Sequence, residues 1–182
     1  MNKIVDIETL MIQANAQLNV GHFKEAIKSF SSCLAHNPNE MRALRGRARL
    51  NLQLKNWNLA MVDFEAAKEL NPTDSENWLG LGMCLSMESK VYEAIKIFEE
   101  LIARQPDYSQ GYIQLALLYL KVGAISKAKE QLLKALDCPI SLKERQVIES
   151  MLLEQGKLDK NRYYRPDFEL LKKQKKGMTS GD

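Results

Sequence analysis

The sequence predicts an all-α protein, built as a stack of four helix pairs with one more helix after the fourth pair. Small and aromatic residues recur every 34 positions through residues 7–142. Proline closes successive units at the same period, and the β-type alternation of apolar and polar residues does not occur. Self-similarity at this period is typical of repeat proteins, in which each unit buries its apolar face against its neighbours.

Two classes of position define the repeat. A small residue recurs in every unit, and an aromatic residue or leucine follows it four positions later. The members are Ala26, Ala60, Ala94 and Ala128, followed by Phe30, Phe64, Phe98 and Leu132. The small residue lets two helices approach closely, and the large one fills the space between layers. Units are therefore expected at about residues 7–40, 41–74, 75–108 and 109–142.

Each unit is expected to hold two helices. Asn37-Pro38 and Asn71-Pro72 end second helices, because proline cannot continue a helix. Gly21 and Gly123 mark the turn between the two helices of the first and fourth units. The predicted helices are at about 5–19, 22–36, 40–54, 56–70, 74–88, 90–104, 108–122 and 124–137.

A ninth helix is predicted at about 141–155. Ser141 and Glu144 form a capping-box pattern at its start, and Gly156 is expected to end it. Its apolar side, with Ile148 and Leu152, is expected to cover the fourth unit as a C-terminal capping helix. The sequence thus predicts a repeat domain at 1–156 and a basic tail at 157–182, with a possible short helix at 166–176.

These repeats resemble the tetratricopeptide repeat (TPR) family. The first-helix signature is clearest in the third unit, as Trp78, Leu81 and Gly82. The resemblance implies a right-handed superhelical α-solenoid whose first helices line a concave groove. It also implies a protein-binding function, with no catalytic activity and no cofactor.

Catalytic and metal sites are not predicted from the residues themselves. His22 and His36 lie near opposite ends of one predicted helix, too far apart to share a site. Cys33 and Cys84 are interpreted as buried packing residues, and the three cysteines lack metal-ligand spacing. Gly82 is interpreted as a close helix contact, because no strand precedes it and the third glycine of a dinucleotide-binding motif is missing.

Charge and targeting signals favour a cytoplasmic protein that does not bind nucleic acid through its repeats. The net charge is +3, but residues 157–182 hold eight basic and four acidic residues. That tail contributes +4, which leaves about −1 for residues 1–156. A nucleic-acid contact is therefore expected only through the tail. No apolar run is long enough to span a membrane, and no secretory leader is recognised at the N-terminus.

The resemblance also selects the residues expected to line the groove, because inner-facing positions are known for the family, and Met11 of the first unit holds one of them. Arginines dominate in the second unit, and apolar side chains dominate in the third and fourth. The predicted binding residues are Asn15, Arg42, Arg45, Arg49, Leu79, Met83, Met87, Ile113, Leu117 and Leu120. The arginines predict an acidic end on the ligand or, alternatively, a solvated charged face. The second apolar face predicts a bound helix or extended peptide.

The main functional hypothesis is an adaptor scaffold that holds a segment of a partner protein. A chaperone-like version is similar to the short TPR chaperones of bacterial secretion systems. Two alternatives stay open. The chain is a structural subunit buried permanently in a larger complex, or it is a nucleic-acid-associated adaptor that acts through its basic tail.

Overall fold

The computed structural model describes residues 6–154 of the chain, and these form nine α-helices without any strand. The nine helices predicted between residues 5 and 155 are present, and their bounds lie within two residues of those expected. The helices are α1 (Ile7–Asn19), α2 (Phe23–His36), α3 (Met41–Gln53), α4 (Trp57–Leu70), α5 (Ser75–Met87), α6 (Val91–Arg104), α7 (Ser109–Lys121), α8 (Ile125–Asp137) and α9 (Leu142–Glu154). The predicted short helix at 166–176, and the basic tail that contains it, lie outside the described residues.

Polar side chains cap the helix ends, and these capping positions recur every 34 residues. Asp6, Glu40 and Asp74 precede α1, α3 and α5, and each carboxylate accepts a hydrogen bond from the backbone N–H two residues on. These bonds satisfy a donor that the first turn leaves unpaired. At the other end, the Asn37 and Asn71 side chains accept from the N–H of the residue after the proline. The Asn-Pro pairs therefore end the second helices as predicted.

The turns inside the four units share one backbone conformation. Gly21 and Gly123 have φ values of 78° and 76°, which confirms their predicted place at these turns. The equivalent residues of the second and third units are Lys55 and Ser89, with φ values of 63° and 61°. A left-handed residue is therefore needed at every turn, although only two of the four carry the glycine that adopts this conformation without strain.

The two classes of repeat position form the core. All four alanines and all four large residues are at most 2% exposed. Three glycines of the first helices, Gly46, Gly80 and Gly82, lie directly under aromatic rings. A Cβ atom added at Gly82 would come within 2.5 Å of the Phe98 ring, and one at Gly46 within 2.5 Å of the Phe30 ring. Gly82 is therefore a close helix contact, as the sequence predicted.

The helices divide into two compact units after Ile140. In the first compact unit, the second helix of each of the first three repeats packs against the first helix of its own repeat and against the first helix of the next repeat. First helices also contact each other directly, α3 with α5 and α5 with α7, more extensively than second helices do among themselves. The first helices therefore converge on one side of this stack. That side is called here the first-helix face.

The second unit begins with α9, whose start is the predicted capping box. The Glu144 backbone N–H donates to Ser141 Oγ at 3.2 Å, and the Ser141 N–H donates to the Glu144 carboxylate at 2.9 Å. Ile148 and Leu152 are buried. The coverage of the fourth repeat by this helix, and the domain boundary at 156, stay predictions.

A helix needs about 20 mostly apolar residues to span a membrane. None of the helices within residues 6–154 is both long enough and apolar enough to cross a bilayer.

Candidate functional site

The residues predicted to line the groove all lie on first helices, one on α1 and the rest on α3, α5 and α7. None of them is fully buried. Asn15 is exposed, and the side chains of Arg42, Arg45 and Arg49 are 55%, 32% and 55% exposed. The apolar members range from half-buried to exposed, and they are Leu79, Met83, Met87, Ile113, Leu117 and Leu120.

The three arginines of α3 are joined to carboxylates in a network called here the arginine ladder. Its members are Arg42, Arg45 and Arg49 with Glu8, Glu40, Asp74 and Glu76. Arg42 donates to Glu8 of α1 and to Glu40, each at 2.9 Å. Arg49 donates to Glu76 of α5 at 2.8 Å. The ladder therefore links α3 to the first helix of the unit before it and to that of the unit after it.

Two further contacts complete the ladder. Arg45 is paired with Asp74, the residue that caps α5. Tyr108, just before α7, donates from its hydroxyl to the second oxygen of Glu76 at 2.9 Å. Burial and the hydrogen bond to Glu76 both raise the pKa of the Tyr108 phenol, so this residue stays a neutral donor. The network thus runs from α1 to the start of α7.

The ladder changes the interpretation of the arginines. Four carboxylates surround three guanidinium groups, so positive charge is already neutralised within the chain. The hydrogen bond from Arg42 is the main cause that lowers the pKa of Glu40. An incoming carboxylate would have to displace these partners. The predicted acidic end of the ligand is therefore not supported by the structure.

The apolar half of the first-helix face is called here the apolar stripe, and it consists of Leu79, Met83 and Met87 of α5 with Ile113, Leu117 and Leu120 of α7. The exposed fractions of Met87 and Leu117 are 54% and 43%. Leu79 and Met83 are partly buried and pack against the core. The stripe therefore has a supported base and exposed tips.

The other side of these helices is already occupied by core residues. Trp78 and Leu81 of α5 and Leu115 of α7 are at most 5% exposed. The Trp78 indole N–H donates to the Pro72 carbonyl at 2.9 Å, and Lys68 lies 5.0 Å from the centre of its ring. Internal packing is thus complete on that side. The stripe is a second apolar face on helices that do not need it for their own core.

Sequence reasoning misplaced one residue and missed several. Met11 holds an inner-facing family position but is 4% exposed and belongs to the core of the first two units. The carboxylate partners of the arginines were not anticipated. A signal was available, because Glu8, Arg42 and Glu76 occupy the same position in successive units and alternate in sign.

The cysteines are buried in the core, whereas the two histidines lie on the surface. Cys33 and Cys84 are buried, and burial raises the pKa of the Cys84 thiol to about 12. A buried thiol with a raised pKa holds little thiolate near neutral pH. His22 and His36 are exposed and lie at opposite ends of α2, so they do not form a joint site.

Known proteins matched by sequence include one receptor and one transferase. The chain is 33% identical over 73 residues to the peroxisomal targeting signal receptor of Kluyveromyces lactis, covering 40% of this chain and 13% of that protein. It is 30% identical over 147 residues to protein O-mannosyl-transferase TMTC3 of Mus musculus, covering 68% of this chain and 16% of that protein. The chain thus spans less than a fifth of either relative.

Solved structures share the fold at low identity. The crystal structure of MamA protein matches with a TM-score of 0.72 and 23% identity, over 97% of this chain and 96% of that one. TTC0263, a TPR protein of Thermus thermophilus, matches with a TM-score of 0.67 and 20% identity, over 85% of each chain. These matches show the all-α repeat solenoid.

Family models identify the repeats directly. Three models described as tetratricopeptide repeat match residues 13–75, 76–108 and 109–137, which together cover the helix pairs of the first compact unit from within α1 to the end of α8. The repeat period, the helix-pair stack and these matches agree, and the chain belongs to the tetratricopeptide repeat family.

Proposed function

We propose that this chain is a protein-interaction scaffold whose apolar stripe holds the apolar face of a helix from a partner protein. The tetratricopeptide repeats and the structural relatives support the function of a protein-interaction scaffold. The observation that supports this site is the second apolar face of α5 and α7, whose exposed tips are Met87 and Leu117. Methionine adapts to ligand side chains of different shapes, which suits a surface that packs against a helix.

The stripe matches a helix in geometry. Leu79, Met83 and Met87 are spaced by four residues, and Ile113 and Leu117 repeat that spacing on α7. Two parallel rows at this spacing form ridges and a groove, into which the ridge of a third helix packs. Burial of apolar area contributes about 25 cal/mol per Å², before the cost of ordering the ligand is subtracted.

The arginine ladder has a different role in this proposal. Its ion pairs join α1, α3 and α5 across the first-helix face and hold those helices at a fixed spacing. Because its charge is neutralised internally, it exerts little preference for an acidic over a basic ligand. A chaperone-like function, in which the stripe shields an exposed apolar segment of a partner, is the specialised form of the proposal.

Catalysis is not part of the proposed function. The name of the TMTC3 relative denotes a transferase, but the similarity covers only 16% of that protein. The family models assign residues 13–137 of this chain to tetratricopeptide repeats. The alternative of a nucleic-acid contact depends on residues 157–182, which lie outside the described part, and no observation favours it.

Binding of model helices tests the proposal. The probe is a dye-labelled amphipathic peptide of about 20 residues, long enough to be helical, with a leucine face and a glutamine face. Fluorescence anisotropy with the full chain should show saturable binding. Met87→Glu/Leu117→Glu should weaken it by about tenfold or more, because charge enters an apolar contact.

Matched variants and peptides make the test specific. Leu70→Glu/Tyr92→Glu adds the same charge at exposed positions of α4 and α6 and should leave affinity unchanged. Arg42→Gln/Arg45→Gln/Arg49→Gln should change affinity by less than about threefold. Peptides with lysine or glutamate in place of glutamine should bind alike. The proposal fails if affinity survives in the stripe variant or is lost mainly in the arginine variant.

A further inference from the structure

A second depression lies between α2 and α4, on the far side of α3 from the arginine ladder. We call it the α2–α4 cleft. Its floor consists of Ser31, Arg47, Asn51 and Asp63, and its volume is about 240 Å³. Its rim is apolar and is formed by Ile27, Leu59 and Val62. The exposed fractions of Leu59 and Val62 are 60% and 62%.

The floor holds a partly buried ion pair with unused donors. Arg47 donates from Nε and Nη2 to the two carboxylate oxygens of Asp63, at 2.8 and 2.7 Å. Its Nη1 donates to Ser31 Oγ at 3.1 Å. Asp63 is only 3% exposed, whereas the Arg47 side chain is 26% exposed. Three of the five guanidinium N–H groups are thus used, and each terminal nitrogen keeps one N–H without an acceptor among residues 6–154.

The equivalent positions one repeat later reverse the polarity at two floor residues and two rim residues. Moving 34 residues along the chain replaces Arg47 and Asp63 of the floor by Leu81 and Ile97. The same step replaces Leu59 and Val62 of the rim by Glu93 and Lys96, which are exposed. An apolar floor under a charged rim is the ordinary arrangement for a soluble repeat. The α2–α4 cleft inverts it, with a polar floor under an apolar rim.

We propose that the α2–α4 cleft is a second protein-binding site, which takes a branched aliphatic side chain of a partner peptide together with a backbone carbonyl next to it. The rim of Ile27, Leu59 and Val62 fits the aliphatic group. The two remaining N–H donors of Arg47 complement the carbonyl oxygen. Because Asp63 already neutralises Arg47, a neutral acceptor fits the floor better than a carboxylate. This site is independent of the apolar stripe.

Peptide selection with a matched counter-selection tests this site. Short random peptides displayed on phage are selected on the full wild-type chain and depleted on Leu59→Glu/Val62→Lys. That variant writes the rim residues of the next repeat into α4, where both positions are exposed, so the fold is kept. The peptides that remain after this depletion should be uncharged and should share a leucine, isoleucine or valine. As amidated synthetic peptides, they should bind the rim variant about tenfold or more weakly than wild type.

Two further variants separate the floor and the two sites. Arg47→Leu/Asp63→Ile writes the two equivalent residues of the next repeat into the floor and should weaken the selected peptides to a similar degree. Met87→Glu/Leu117→Glu should leave them unaffected, because it changes only the apolar stripe. The cleft proposal is overturned if no peptide separates wild type from the rim variant, if the selected peptides are acidic, or if the stripe variant abolishes their binding.

Other occupants would give distinct results. Sedimentation of the full chain should show no self-association that Leu59→Glu/Val62→Lys removes. A concentration-dependent dimer lost in that variant would identify a second copy as the occupant and overturn the proposal. Competition by a synthetic peptide of residues 157–182, lost in the same variant, would identify the chain's own tail and overturn it likewise.

Discussion

The two halves of the first-helix face use the same repeat positions but differ in what their side chains contact. Arg45 and Arg49 of α3 are paired with carboxylates 29 and 27 residues away. Leu79 and Met83 occupy the same positions one unit later, and they form the base of the apolar stripe. A repeat position therefore sets the direction of a side chain. The length and charge of that side chain decide whether it pairs with a residue of a neighbouring repeat.

The largest expected effect comes from the core that supports both halves. Phe64→Ala removes the ring that packs between α4 and Gly80, and it should lower the free energy of unfolding by about 3–5 kcal/mol. Urea denaturation followed by circular dichroism measures it. Tyr92, which is 84% exposed, is the matched aromatic control, and Tyr92→Ala should cost less than about 0.5 kcal/mol. Equal losses in the two variants would contradict the assigned core.

The next effect separates two arginines of one helix. Arg47→Ala leaves Asp63 buried without its partner and should cost roughly 2–4 kcal/mol, reduced by the partial exposure of Arg47. Arg49→Ala breaks an exposed pair and should cost less than about 1 kcal/mol. Thermal and urea unfolding compare the two variants. Arg47→Leu/Asp63→Ile should recover most of the loss, because apolar residues then fill the site. Similar costs for both single variants would show that burial does not distinguish them.

The smallest effect concerns pH and belongs to the ladder half alone. Arg42 lowers the pKa of Glu40 in the folded chain. The stabilisation is therefore full above the unfolded pKa of about 4.3 and is lost as the pH falls through the lower folded value. At neutral pH, Glu40→Gln should cost a few tenths of a kcal/mol, and the difference from wild type should shrink below about pH 4. Met87→Ala, in the stripe half, should show a pH-independent difference. A constant difference for Glu40→Gln would contradict the assigned pair.

The sequence predicted the helices, the glycine turns and the capping box, because these depend on residues close together in the chain. It also identified the Phe64 class of core residues, because a strict period reports a shared environment. The ladder was not predicted, since it depends on which rotamers let Arg42 reach Glu8 in another unit. Met11 was misplaced for a similar reason. The family position gave its direction, but local packing decided its burial.

The α2–α4 cleft shows a second limit of pattern reasoning. Arg47 occupies a core position of the first helix, where the third and fourth units have leucine. In a single sequence, Arg47 is interpreted only as a departure from the repeat pattern. Its meaning becomes clear only with Asp63, which lies 16 residues later at another core position. Two opposite charges at core positions of one unit are a signal that can be sought in other repeats.

Methionine methyl NMR locates a bound helix on the chain, because methionines lie on several of its surfaces. The full chain, labelled at its methionine methyl groups, is titrated with the leucine–glutamine peptide. If the apolar stripe holds the peptide, the Met83 and Met87 signals should shift together and saturate, while those of Met61 of α4 and the buried Met11 should stay in place. Shifts confined to Met61, or saturable peptide binding that leaves Met83 and Met87 unchanged, would contradict binding at the apolar stripe.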